Sequence, residues 1–230
     1  MSAVGSKPSK RGPASRRSEA ALTEELAAQK QIEAELRAAL AAQDQAFRKL
    51  SHRFKNNLQL VISIVSLRLS ALRDAASRRE LEDVLSKIHA LALIQKKLHD
   101  GGALPGVDFA GFLRELTSGL ERPTLTIEPV TVGIERAVPL GLIANELITL
   151  AAPSDAAPLA IALTQRAGAA LLSVGPLAPT ALEATGRSDL GLPLARALAR
   201  QAGAELTIEP GPPATARLRF AAEPEPTDAQ

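Results

Sequence analysis

Apolar residues recur along the first hundred positions at helical spacing. Leu22, Leu26, Leu36, Leu40, Phe47 and Leu50 fall on one heptad seam, whose other positions hold Gln29, Glu33 and Gln43. From Ser18 onward the chain is rich in Ala, Glu, Gln and Leu, all strong helix formers. The spacing therefore predicts a marginal coiled coil that leads into a dimer. The helical pattern continues without a breaker into residues 50–72, and a second amphipathic helix is predicted over 77–98, closed by Gly101-Gly102. Two long antiparallel helices on a short link cannot bury both apolar flanks alone. A homodimer built as a four-helix bundle is the expected solution.

Beyond Pro105 the period changes. A short helix is predicted over 109–119, with strand-like alternation at 125–128, 159–164, 169–174, 205–209 and 215–220. Helical stretches at 140–152 and 190–201 lie between them. Strands and helices mixed in this order predict a small α/β sandwich, so the fold class is α+β. The expected domains are a disordered basic tail (1–17), the coiled-coil lead-in and helical hairpin (18–103), the α/β domain (104–222) and a flexible tail (223–230).

Composition narrows the function. Hydrophobic residues make up 46% of the 230, but only 2% are aromatic, with five Phe and no Trp or Tyr. The core must come from Ala and Leu, and the stacking platforms of single-strand nucleic-acid binders are missing. No nucleic-acid partner is expected. The formal charge is +2, and the Lys/Arg-rich start contributes much of the positive part. With no Cys there is no disulfide frame, thiolate nucleophile or Cys-ligated zinc, and three scattered His give no metal spacing. No apolar run follows the N-terminal charges, and no stretch approaches the ~20 apolar residues that span a bilayer. A soluble cytoplasmic protein without membrane insertion is expected.

Placing residues at 100° per position puts Leu50, Phe54, Leu58, Val61, Val65, Leu69 and Leu72 in one arc, predicted to be buried. His52, Asn56, Gln59 and Ser63 line up roughly opposite. His52 is thus predicted to be exposed, with an imidazole that is largely neutral and nucleophilic near neutral pH, since its ordinary pKa is about 6.5. Arg53 and Lys55 flank it and are placed to offset charge on a phosphoryl group. An exposed helical histidine is not by itself diagnostic.

The run Leu50-Ser51-His52-Arg53-Phe54-Lys55-Asn56-Asn57-Leu58-Gln59-Leu60 is more specific. It resembles the phosphoacceptor box of bacterial two-component histidine kinases of the His-Arg-x-x-Asn type, and the resemblance extends over roughly residues 50–220. It implies that His52 carries the phosphoryl group. Asn56 either orients a hydrolytic water in the reverse, phosphatase reaction or is a plain solvent-facing amide. Gln59 and Ser63 belong to the face on which a partner docks.

The C-terminal region resembles the GHKL (Bergerat-like) ATP-binding fold, with departures. Asn145 and Glu146 match the N box, but Leu150 stands where the resemblance expects a magnesium-holding Asn, and Pro153 and Ser154 replace basic and His residues. The run Val174-Gly175-Pro176-Leu177-Ala178-Pro179 lacks the adenine-reading Asp. Gly191 matches the last glycine box, whose closing Gly-Thr becomes Ala214-Thr215. Asn145, Glu146 and Gly191 are then vestiges of a degenerate nucleotide site. No cofactor of the chain's own is expected, neither ATP nor magnesium, the metal coming from the partner. The implied function is ATP-independent phosphotransfer through His52, to or from an aspartate of a response regulator receiver. An upstream hybrid histidine kinase would be the other partner. The alternatives are an active autokinase/phosphatase and a non-catalytic adaptor that sequesters a response regulator.

Overall fold

The computed structural model of the chain describes residues 13–100, 106–151, 158–177, 191–211 and 213–223. Two compact units are present, Met1–Leu50 and Ser51–Gln230. The first long helix, α1 (Pro13–Ala71), spans both. It begins five residues before Ser18, so residues 13–17 are helical, not part of a disordered tail; residues 1–12 lie outside the description. Within the first unit Leu22, Leu26, Ile32, Leu36, Leu40, Phe47 and Leu50 are exposed. The pairs Arg37–Glu33 and Arg48–Asp44, each one turn apart, tie its surface.

The second unit contains the end of α1, then α2 (Ala75–Asp100), β1 (Val107–Asp108), α3 (Phe109–Leu116), β2 (Thr124–Ile127), β3 (Thr131–Val132) and α4 (Ile134–Thr149). It ends with β4 (Ala160–Arg166), β5 (Ala169–Gly175), α5 (Gly191–Ala202), β6 (Glu205–Glu209) and β7 (Thr215–Ala221). Five strands form a mixed sheet in the order β2-β4-β5-β7-β6, with β2 parallel to β4 and the other neighbours antiparallel. The strands β1 and β3 pair separately. A two-residue turn, Ala167-Gly168, joins β4 to β5 with positive φ at both positions, the backbone that a twisted hairpin requires. This is the α+β architecture expected, a helical N-terminal region followed by an α/β layer.

Alternation sets the sheet's two faces. Ile161 and Leu163, Ala170, Leu172 and Val174, and Ala216, Leu218 and Phe220 are buried, while Arg217 and Arg219 between them are exposed. The buried face packs with Phe109, Phe112, Leu113, Leu140, Ile143, Leu147, Ala195 and Ala199 into one core. Ile94 of α2 belongs to that core, and Leu91, Leu93 and Leu98 pack against it. A boundary at residue 104 therefore cuts through a continuous apolar cluster. The end of the hairpin and the α/β layer share one interior.

Element limits differ mainly at α4, which starts at Ile134 and not near Leu140, with Pro139 inside it. Proline removes one backbone donor, and at the sixth position of α4 this leaves the Glu135 carbonyl without its intrahelical N–H.

Candidate functional site

His52 lies on α1 and is exposed, as are Arg53, Lys55, Asn56, Gln59 and Ser63. Asn56 Nδ2 lies 3.4 Å from His52 Nδ1, one helical turn away, so this pair turns the ring's Nδ1 edge toward the helix. Which atom donates depends on the tautomer and on the amide's orientation. Ser63 Oγ donates to the Gln59 carbonyl at 2.9 Å, joining the next two members of the polar line. Among the described residues no ion pair engages Arg53 or Lys55, which flank His52 along the helix.

The apolar side of this segment differs from the predicted arc. Ile62 is its most buried residue, with Leu58, Val65, Leu69 and Leu72 half-buried, whereas Leu50, Phe54 and Val61 are exposed. Leu60, Ile64 and Leu67 are exposed as well. The helix is apolar around more than half its circumference. One arc, centred on Leu58, Ile62, Val65 and Leu69, is covered by the chain's own fold. A second arc, containing Leu50, Phe54, Val61 and Ile64, faces outward.

Asn145 and Glu146 have the opposite fate. Both are buried, Asn145 at 5% and Glu146 at 1% relative exposure. They sit on α4 where it packs antiparallel to α2, and the approach is close. A Cβ on Gly141 would stand 3.2 Å from Phe112 Cζ and 3.4 Å from Ile94 Cδ1, so a larger residue there would press on both. Nearby, buried Ala90 and Ala144 keep both helix surfaces low. One turn further along this contact, Ser86 Oγ donates to Asn145 Oδ1 at 3.0 Å, and Lys87 Nζ meets Glu146 Oε1 at 3.0 Å. Lys87 also donates to Asp83. Burial pulls the Lys87 ammonium below its ordinary value, but the hydrogen bonds and charges of Asp83 and Glu146 more than offset this, holding its pKa above 10.5. Asn145 Nδ2 finds no hydrogen-bond partner among the described residues.

The other positions singled out in the α/β region are also accounted for. Leu150 forms the C-cap of α4 and packs against the core. After β5 the chain offers Pro176 and the buried Leu177, which bridges to Ala151, and no carboxylate. Gly191 is buried at the start of α5, and Ala214-Thr215 opens β7. Pro153, Ser154, Ala178, Pro179 and Asp189 lie outside the described residues. The structure thus gathers His52, Asn56, Gln59 and Ser63 on one open line, and Asn145 and Glu146 in a closed one. Ser86 and Lys87, which close it, were not anticipated. Their signal was a lysine on the apolar line Lys87–Leu91–Ile94–Leu98, where an internal counter-charge is needed.

Among the described residues no helix is long and apolar enough to cross a membrane. A histidine kinase family model, HisKA_2, matches residues 49–123, the segment that carries His52, α2 and α3. No curated protein matches the sequence. Among solved structures, the histidine kinase domain of the blue-light activated kinase EL346 from Erythrobacter litoralis is 21% identical. The match covers 77% of this chain and 91% of that domain, with a TM-score of 0.52. The longer structure of the same kinase is 18% identical over 71% of this chain and 59% of its own, with a TM-score of 0.49. Residues 49–123 thus match the histidine kinase family model, and the chain shares the helical-then-α/β fold of a histidine kinase domain.

Proposed function

We propose that the chain is an ATP-independent histidine phosphotransfer protein that exchanges a phosphoryl group between His52 and an aspartate of a response regulator receiver. The observation that carries this reading is the contrast between an open His52 and an N-box pair already engaged by α2. Magnesium wants hard oxygen ligands. Leu150 offers none, Asn145 and Glu146 turn theirs to Ser86 and Lys87, and residues 175–177 carry no carboxylate. The described residues at these positions do not suit magnesium–ATP. The phosphoryl group and the metal then come with protein partners: the receiver, and a hybrid histidine kinase upstream.

The chemistry asked of this chain is small, since positioning and charge stabilisation provide most phosphoryl-transfer catalysis. With the Asn56 amide turned so that its oxygen accepts from a protonated Nδ1, His52 Nε2 keeps its lone pair for the phosphoryl group. Nε2 attacks the phosphorus of the aspartyl phosphate in line. The N–P bond forms as the P–O bond to the carboxylate breaks, and the electron pair leaves on the aspartate. Arg53 and Lys55 stand close enough along the helix to offset phosphate charge. Gln59 and Ser63 extend the docking line, and Asn56 also serves to orient water in any hydrolysis. The protein acts in the cytoplasm as a homodimer, in which the outward arc of Leu50, Phe54, Val61 and Ile64 is covered by the second copy.

The test mixes purified protein with a labelled phosphorylated receiver. Acid-labile label on His52 is the expected result, and label at His89 or His99, or none, overturns it. A second reading, an active autokinase, draws on the retained glycine at the start of α5 and the retained α/β fold. It requires millimolar magnesium–ATP to stabilise the fold; saturation at 100 times the dissociation constant is worth about 2.7 kcal/mol.

A further inference from the structure

The contact between α2 and α4 is apolar along most of its length. Ile94, Ala90 and Leu91 face the α/β core that Leu140, Ala144 and Leu147 help to form. An unbroken apolar seam would suffice to hold two helices together. Here it ends in four polar side chains, two from each helix, with Glu146 among the most buried groups of the molecule. Burying a carboxylate costs several kcal/mol unless a partner meets it. Lys87 does so from a neighbouring helix, itself held from the other side by Asp83.

We propose that Ser86 and Lys87 of α2 form a latch on Asn145 and Glu146 of α4, which reassigns the N-box pair from ligand binding to docking and makes α2 and the α/β layer move as one body. Charge complementarity fixes the register. Sliding α2 by one turn would move Lys87 off Glu146 and set either Leu91 or the acidic Asp83 against a buried carboxylate, so the apolar seam gains a single position along the helix. Lys87 and Glu146 are positioning residues in this scheme. The latch goes beyond the phosphotransfer reading and does not depend on it, because its readouts involve no phosphate.

Hydrogen exchange on the full chain tests it. Lys87→Met is expected to speed exchange of α2 amides around residues 84–91 by about tenfold or more, leaving the amides of β4, β5 and β7 unchanged. Lys87→Glu should do the same, and Lys87→Glu combined with Glu146→Lys should recover most of the protection. Unchanged α2 exchange in the single variants overturns the latch. So does a rise shared equally by α2 and the sheet, which marks general packing, or a reversed pair that folds without recovering. Should the reversed pair fail to fold, cross-linking decides. The chain has no cysteine, so Ser86→Cys with Asn145→Cys provides a unique pair. A short thiol-reactive linker should join them within one chain, and linkage only between chains, or none, counts against the latch.

Discussion

Two polar lines in this chain use similar residue types and end in opposite states. On α1, His52, Asn56, Gln59 and Ser63 face outward, with one long contact between His52 and Asn56. On α4, Asn145 and Glu146 are buried and met by Ser86 and Lys87 across a helix–helix contact. The difference lies in what surrounds each helix. The His52 segment is covered along the arc of Ile62 only, so its polar side stays in water, where a partner can reach it. The α4 helix is enclosed by α2, α3 and the sheet, and there a polar group persists only with an internal partner. A polar residue type alone therefore says little about chemistry. Its coverage decides between reaction and docking.

The sharpest way to break this comparison is to remove the open side. His52→Ala should abolish label transfer from a phosphorylated receiver while receiver affinity, followed by titration calorimetry, stays nearly unchanged. Asn56→Ala should leave transfer largely intact and slow phosphatase activity, measured as release of inorganic phosphate. Transfer that survives in the His52→Ala protein would remove the distinction between the two lines.

On the closed side the expected effect is on stability. Lys87→Met leaves Glu146 buried without its cation, a change that costs 3–5 kcal/mol for fully buried pairs. The Lys87 side chain keeps 21% of its exposure, so solvent screening reduces this to about 2 kcal/mol, measurable as a lower urea midpoint. The sign with pH follows from the raised Lys87 pKa. Its contribution is fully present below the ordinary 10.5 and fades only as pH climbs through the raised value. The midpoint difference between wild type and Lys87→Met should therefore be flat across neutral pH and shrink only in strong alkali.

A third perturbation separates the two apolar arcs of α1. Phe54→Asp with Ile64→Asp touches the outward arc and should convert a dimer of about 48 kDa, twice the 24.1 kDa chain, into a folded monomer, since each buried large apolar side chain is worth about 2 kcal/mol. Ile62→Asp touches the covered arc and should lower the melting temperature instead. Light scattering that finds the unmutated chain monomeric would end the dimer proposal and leave the outward arc unexplained.

Much of this was legible beforehand, for physical reasons that differ by element. The strand β6 matches its predicted limits and β7 comes within one residue, because Leu206, Ile208, Ala216, Leu218 and Phe220 alternate cleanly with charged or small neighbours. His52 was legible as exposed from angular position. The centre of the buried arc was not, because a helix apolar over most of its girth has no single preferred side until its neighbours are placed. The helix expected from residue 140 begins in fact at Ile134. The pairs β1 and β3, two residues each, are too short to leave a periodic trace. Ser86 and Lys87 were missed because a lone lysine among Leu85, Ile88 and Leu91 looks like a surface charge until a carboxylate is found opposite it.

The smallest predicted effect concerns the start of α2, between the two lines. Asp74 caps that helix, its Oδ2 accepting the Ser77 backbone N–H at 2.8 Å. The backbone hydrogen bond from Ser77 is the main cause that holds the Asp74 carboxyl below its ordinary 3.8. A folded pKa depressed in this way means stability that is present above 3.8 and is lost as pH falls through the lower folded value. Asp74→Asn keeps an acceptor at the cap and removes the titration, so its melting temperature should lie close to wild type at neutral pH. Asp74→Ala removes the acceptor and should melt slightly lower. As pH falls below 3.8, the wild-type protein should approach Asp74→Ala, while Asp74→Asn holds its distance from Asp74→Ala. A wild-type curve that stays parallel to Asp74→Asn throughout would show that the cap does not depend on the charge. Helix entry would then rest on the short Leu72–Asp74 link and the apolar packing of α2 alone.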